Sequence, residues 1–106
     1  MNIDERVVLI RIVRSYKAGM SREDLYEATR KWWRMDARRD PDYAFAVNGG
    51  HVMAVYKIDS WERSGDRKRR AFRGSEDEAM SRRYIGADVT SYLPRGFAGP
   101  TRFVNC

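Results

Sequence analysis

The segment from Tyr43 to Ile58, YAFAVNGGHVMAVYKI, constrains the fold of this chain most, because it consists of two apolar runs joined by a glycine turn. Asn48, Gly49 and Gly50 accept the positive φ angles that a tight hairpin turn requires. The flanking runs are rich in β-branched and aromatic residues, and their apolar side chains fall on both alternating faces. A strand that is apolar on both faces is covered on both sides. The sequence therefore predicts a β-hairpin in the middle of a sheet.

Length and composition indicate one folded domain with a basic surface. The chain has 106 residues, of which 42% are hydrophobic, so residues 1–106 support a single core. Lys and Arg outnumber Asp and Glu by 21 to 15, which gives a net charge of +6. Such an excess favours a polyanionic partner such as nucleic acid. The alternative is that the arginines are solvated or paired with the acids, so the clustering of the charges has to decide.

Membrane, zinc and disulfide functions are not indicated. No apolar run approaches the roughly 20 residues that a transmembrane helix needs, and Asp4 and Glu5 stand where a signal peptide carries positive charge. We therefore expect a cytoplasmic protein without membrane contact. Cys106 and His51 are the single cysteine and the single histidine, which argues against a Cys/His zinc site and an internal disulfide. No nucleophile motif accompanies His51, and the sequence predicts no catalytic residue, metal or cofactor.

The first third of the chain predicts a strand and the main helix. Arg6 to Arg14, RVVLIRIVR, is typical of a buried strand, although its spacing also fits a helical stripe. Ser21 is a helix cap followed by acids in the first turn, and the helix is predicted to extend to about Met35. The face predicted to pack on the sheet consists of Leu25, Ala28, Thr29 and Trp32. Trp33 lies at the border of this helix face.

Beyond the hairpin the sequence predicts two short strands and a second helix. Arg70 to Arg73 resumes a strand that Gly74 and Ser75 break. Ser75 begins a helix that is predicted to end at about Arg83 and to bury Ala79 and Met80. Thr101 to Val104 is the closing strand. The predicted fold is α+β, a small curled sheet or partly closed β-barrel with one main helix and a short second helix.

The densest charge follows the hairpin, in a basic loop from Ser64 to Arg70, SGDRKRR. Six basic residues stand against one acid, Asp66, between Arg63 and Arg73. Aromatic rings beside guanidinium groups suit unpaired bases, which stack on the rings while arginine neutralises phosphate. We therefore predict nucleic-acid contacts at Trp33, Arg34, Trp61, Arg63, Arg67, Lys68, Arg69 and Arg70.

Two other functions are compatible with the same residues. The first is a protein-interaction module, such as an inhibitor or accessory subunit of a bacterial or phage system, whose arginines bind an acidic partner. The second is a small metal-dependent phosphodiesterase, in which Asp59 and Glu62 hold magnesium near Lys57 and Arg63. We expect these acids to be solvated charges beside the basic loop, and therefore expect a non-catalytic function.

The second half of the chain resembles small bacterial domains of the PUA-like group, which includes the EVE and ASCH domains. The resemblance covers residues 50–105 and lies in Gly50, Val52, Val55-Tyr56-Lys57-Ile58, Trp61, Phe72-Arg73-Gly74, Tyr84, Gly86, Val89, Tyr92, Gly96, Pro100 and Arg102-Phe103-Val104-Asn105. It implies a small curled β-barrel with flanking helices. It also implies recognition of RNA, or of DNA carrying modified bases, through an aromatic-lined cleft.

Overall fold

The computed structural model describes residues 2–13, 15–36, 38–97 and 99–106. Over these residues the chain is α+β, as predicted, with one five-stranded sheet and two α-helices. In chain order the elements are β1 (Val7–Arg11), α1 (Arg22–Arg30), β2 (Tyr43–Asn48), β3 (His51–Arg63), β4 (Arg70–Glu76), α2 (Glu78–Tyr84), a 3-10 turn (Thr90–Tyr92) and β5 (Thr101–Val104).

The sheet is mixed, with strand order β4-β3-β2-β1-β5. β1 and β2 are parallel, because α1 crosses over between them, and the other neighbours are antiparallel. β2 and β3 form the predicted hairpin, in which Asn48 pairs with His51. Gly49 and Gly50 have φ angles of 60° and 80°, values that favour glycine. The hairpin prediction is confirmed, and β2 lies in the centre of the sheet.

Each face of the sheet has its own hydrophobic cluster. The first cluster lies under α2, where Met80 and Tyr84 pack with the side chains of Val7, Leu9 and Phe45. The second cluster lies under α1 and consists of the alternate strand residues, among them Val8, Ile10, Ala44, Tyr56 and Phe72. Because successive strand residues point to opposite faces, the continuous apolar runs of β1 and β2 are buried on both sides.

α1 ends at Arg30, five residues before the predicted end. Lys31 is extended, with φ −148° and ψ 159°, and the next residues leave the helix axis. Trp33 then joins the edge of β4, where its N–H donates to the carbonyl of Arg70 and its carbonyl accepts from Arg70 N–H, both at 3.0 Å. The prediction that Trp32 packs on the sheet is wrong, since its side chain is 38% exposed.

Three other predicted boundaries also differ. β1 begins at Val7 and ends at Arg11, and Arg14 lies outside the described residues. β4 continues through Gly74, where a Cβ atom would lie 1.9 Å from the carbonyl oxygen of Lys57, so glycine permits the close approach of β3 instead of ending the strand. α2 is capped by Asp77, whose carboxylate accepts from Met80 N–H at 2.9 Å. Ala79 is exposed, contrary to prediction.

The sheet is open, with β4 and β5 as its edges in the part of the chain that the structure describes. The edge of β4 is covered by side chains of α1: Arg30 Nε donates to the carbonyl of Phe72, and the Tyr26 hydroxyl accepts from Gly74 N–H, each at 3.0 Å. These contacts replace the strand pairing that would close a barrel. No described helix combines the length and apolarity needed to cross a membrane.

Candidate nucleic-acid interface

The basic loop is a structured turn between β3 and β4. Ser64 N–H donates to the carbonyl of Arg69, and Arg67 N–H donates to the carbonyl of Ser64, each at 2.9 Å. The carboxylate of Asp66 accepts from the Ser64 hydroxyl at 2.6 Å and from Lys68 N–H at 3.0 Å. These hydrogen bonds, that from Ser64 foremost, lower the pKa of Asp66. The single acid of the loop is therefore engaged in holding the turn.

The loop cations are free of carboxylates. Arg63, Arg67, Lys68 and Arg69 are exposed, and within the described ranges none of them forms an ion pair. Exposed arginines elsewhere are of two kinds: Arg22, Arg38 and Arg82 pair with Glu76, Asp36 and Glu78, whereas the other kind, Arg34, Arg95 and Arg102, is exposed without an ion pair among the described residues. The loop is distinguished by four such unpaired cations within residues 63–69, beside one acid that is engaged in the turn.

The residues after α1 lie beside the loop. The backbone pair between Trp33 and Arg70 joins the two segments, and Arg69 Nη1 donates to the carbonyl of Trp32 at 3.3 Å. Arg34 is exposed next to this pair. The structure therefore brings Trp33 and Arg34 together with the loop. It adds the partly exposed Trp32, which sequence periodicity had assigned to the core.

The side chains of Trp61 and Arg70 pack against each other. The guanidinium carbon of Arg70 lies 3.8 Å from the centroid of the Trp61 ring, and Arg70 is only 7% exposed. Its Nη2 donates to the carbonyls of Asp36 and Arg39 at 3.2 and 3.1 Å. The ring of Trp61 also contacts the edge of Phe72, with centroids 6.1 Å apart. These contacts make Arg70 and Trp61 part of the packing and not of the exposed interface.

Trp33 lines an apolar cleft of about 410 Å³ at the carboxyl end of β1. Its indole Nε1 donates to the carbonyl of Thr29 at 2.7 Å, which fixes the ring. The other described residues that line the cleft are Arg11, Ile12, Val13, Ser15, Gly99 and Pro100. Val13 is 66% exposed, although the sequence predicts a buried strand from Arg6 to Arg14. A fixed aromatic ring in an apolar cleft is suited to hold a flat ligand group.

The geometry does not support Asp59 and Glu62 as a metal pair. Glu62 Oε2 accepts from Arg30 Nη2 at 2.5 Å, and its Oε1 accepts from Arg73 Nε at 2.6 Å. Both oxygens are thereby engaged in ion pairs that join α1 to β3 and β4. The described residues contain no group of three or more His, Cys, Asp or Glu side chains placed to hold a metal ion.

Comparison of the chain with protein-family models, with curated proteins and with solved structures gives no match. The assignment of function therefore rests on the charges and contacts of the basic loop and of the residues beside it.

Proposed function

We propose that this chain is a non-catalytic nucleic-acid-binding module that contacts the phosphate backbone through its basic loop. The observation that carries the proposal is the set of four exposed loop cations, Arg63, Arg67, Lys68 and Arg69, which have no carboxylate partner among the described residues. Unpaired cations attract polyanions and release condensed counterions when they bind them. Paired arginines lack this gain, because an acid already neutralises them.

The neighbouring tryptophans favour an unpaired strand over a duplex. Trp32 is partly exposed beside Arg69, and the next residue, Trp33, lines the apolar cleft. Bases of a single strand are free to stack on such rings, whereas bases in a duplex are already stacked. RNA, and DNA with modified bases, are the ligands that the resemblance to PUA-like domains implies, so we propose them as the preferred classes.

Titration of labelled single-stranded oligonucleotides at several salt concentrations tests the proposal. If the four cations each neutralise one phosphate, the slope of log K against log salt is about −3 for a single strand. The variant R67S/K68S/R69S removes three loop charges and is expected to weaken binding strongly. The matched control R22S/R38S/R82S removes the same charge from arginines that are paired with acids.

The proposal is overturned if the chain does not bind oligonucleotides at low salt. It is also overturned if both triple variants bind oligonucleotides as tightly as the wild type. Capture of an acidic protein that survives nuclease treatment would favour the alternative, a protein-interaction module, since the same loop cations serve either partner.

A further inference from the structure

Two like charges stand opposite each other where β3 meets β4. Arg63 and Arg70 are partners in the antiparallel ladder, and neither forms an ion pair with any described residue. Like charges directly opposite each other destabilise a strand pair. Burial, and after it the charge of Arg63, lowers the pKa of Arg70. The charges of Asp36 and Asp40 act in the opposite direction, but these acids form their ion pairs with other arginines, namely Arg38, Arg39 and Arg6.

Arg70 also has an unused donor. Its side chain is more than nine-tenths buried, and its Nε has no hydrogen-bond partner among the described residues. Leaving a buried donor unsatisfied is costly, and more so when the group is charged. Trp61 covers the guanidinium with its ring, but a ring does not replace an acceptor oxygen.

A small recess adjoins these groups at the base of the loop. Its volume is about 20 Å³, and it is lined by Met35, Arg63, Arg67, Lys68, Arg69 and Arg70. A volume of about 10–15 Å³ is sufficient for one water-sized group. The recess thus admits a single oxygen atom, and five of the six described residues that line it are cationic.

We propose that this recess binds one oxygen of an oxyanion, a phosphate group, between Arg63 and Arg70. The oxygen accepts from the guanidinium groups, and the other phosphate oxygens remain outside, within reach of the exposed loop cations. Arginine is suited to this role because its planar donors match phosphate geometry. A neutral water would fill the recess but would add no negative charge between the two arginines.

This inference rests on the proposed function, since we take the phosphate to be one group of a nucleic-acid backbone. It goes further in placing that phosphate at the base of the loop rather than at its tip. It also predicts that inorganic phosphate alone binds, without any base. Arg67, Lys68 and Arg69 then attract the strand, while Arg63 and Arg70 fix the position of one phosphate.

Titration with inorganic phosphate against sodium chloride of equal ionic strength tests the site. The arginine Nε–Hε signal of Arg70, assigned by its loss in R70K, is expected to shift and to saturate in the millimolar range. As a second measurement, phosphate should raise the midpoint of thermal unfolding, because it binds the folded chain alone. R63Q is expected to lower the affinity for phosphate about tenfold. R95Q makes the same charge change at another exposed arginine and should alter this affinity by less than about twofold.

Absence of a saturable effect of phosphate over chloride would overturn the inference, as would equal phosphate affinity in R63Q and R95Q. The two proposals fail separately. Oligonucleotide binding without a phosphate response would leave the nucleic-acid module in place and remove the recess as a site. A phosphate response without oligonucleotide binding would retain the recess and remove the proposed function.

Discussion

The guanidinium of Arg70 lies over the indole ring of Trp61, with its central carbon 3.8 Å from the ring centroid. The pair stands at the root of the basic loop, where β3 ends and β4 begins. A cation stacked on a desolvated aromatic ring is stabilised by the ring's negative face. Arg70 therefore stabilises the base of the loop from the inside, whereas the other loop cations are exposed. The sequence alone does not distinguish Arg70 from them.

Replacing Arg70 with lysine is expected to destabilise the fold. Lysine retains the charge but not the planar fork that donates to the carbonyls of Asp36 and Arg39. The loss of hydrogen bonds to a charged group predicts a decrease of about 1.5–3 kcal/mol in the free energy of unfolding, measured by equilibrium denaturation in urea. R67K, at an exposed loop position, should change it by less than about 0.5 kcal/mol. Equal stability of the two variants would contradict the supporting role of Arg70.

Gly74 is expected to tolerate no side chain. A Cβ atom there would lie 1.9 Å from the carbonyl oxygen of Lys57, a backbone atom of the neighbouring strand. G74A would force β3 and β4 apart, and we expect a loss of about 3 kcal/mol or more in the free energy of unfolding. G65A is the matched control, because nothing lies within 4 Å of a Cβ at Gly65. Thermal melts give the melting midpoints of G74A and G65A. A midpoint for G74A equal to that of the wild type would contradict the close approach of the two strands.

Glu62 makes stability depend on acid pH. The hydrogen bond from Arg73, together with that from Arg30, holds the pKa of Glu62 below its ordinary value. A carboxyl group whose pKa is lower in the folded than in the unfolded chain stabilises the folded state at pH values above the unfolded pKa, which is about 4.3. That contribution is lost as the pH falls through the folded pKa. The wild type should therefore lose stability below about pH 4.3, and E62Q should lose less over the same range.

Urea midpoints measured between neutral and acid pH check this expectation. E23Q is the control, since Glu23 is exposed on α1 and is in no ion pair among the described residues. The prediction fails if E62Q and the wild type have the same slope of stability against pH in the acid range.

The central hairpin was predictable because its determinants are local. Gly49 and Gly50 adopt the positive φ angles that the turn needs, and the flanking residues have strong β preference. The end of α1 was not predictable in this way. Trp33 leaves the helical path to pair with Arg70, a residue far along the chain, and a backbone pair of this kind leaves no periodic signal in the sequence.

The candidate site was predictable to a similar degree. Local charge density located the basic loop, whereas exposure of each side chain depends on tertiary packing. Arg69 and Arg70 are adjacent in sequence, yet one is exposed and the other is buried, because successive residues at the start of a strand point in opposite directions. In the same way Trp61 is covered by Arg70, and Trp32 is exposed at a position that helical spacing assigned to the core.

Trp32 provides the last test, since it separates stacking from charge. Trp32 is 38% exposed beside Arg69, so W32A removes a ring that a ligand can reach. If a base stacks on the ring, affinity for single-stranded oligonucleotides should fall about tenfold, within the range known for base–aromatic stacking. I85A, at another exposed apolar residue, is the control for a general surface effect. Fluorescence anisotropy measures both at one salt concentration, where electrostatic attraction is the same for each variant. Full affinity in W32A, combined with its loss in R67S/K68S/R69S, would show that binding depends on the loop cations alone and that the ring takes no part.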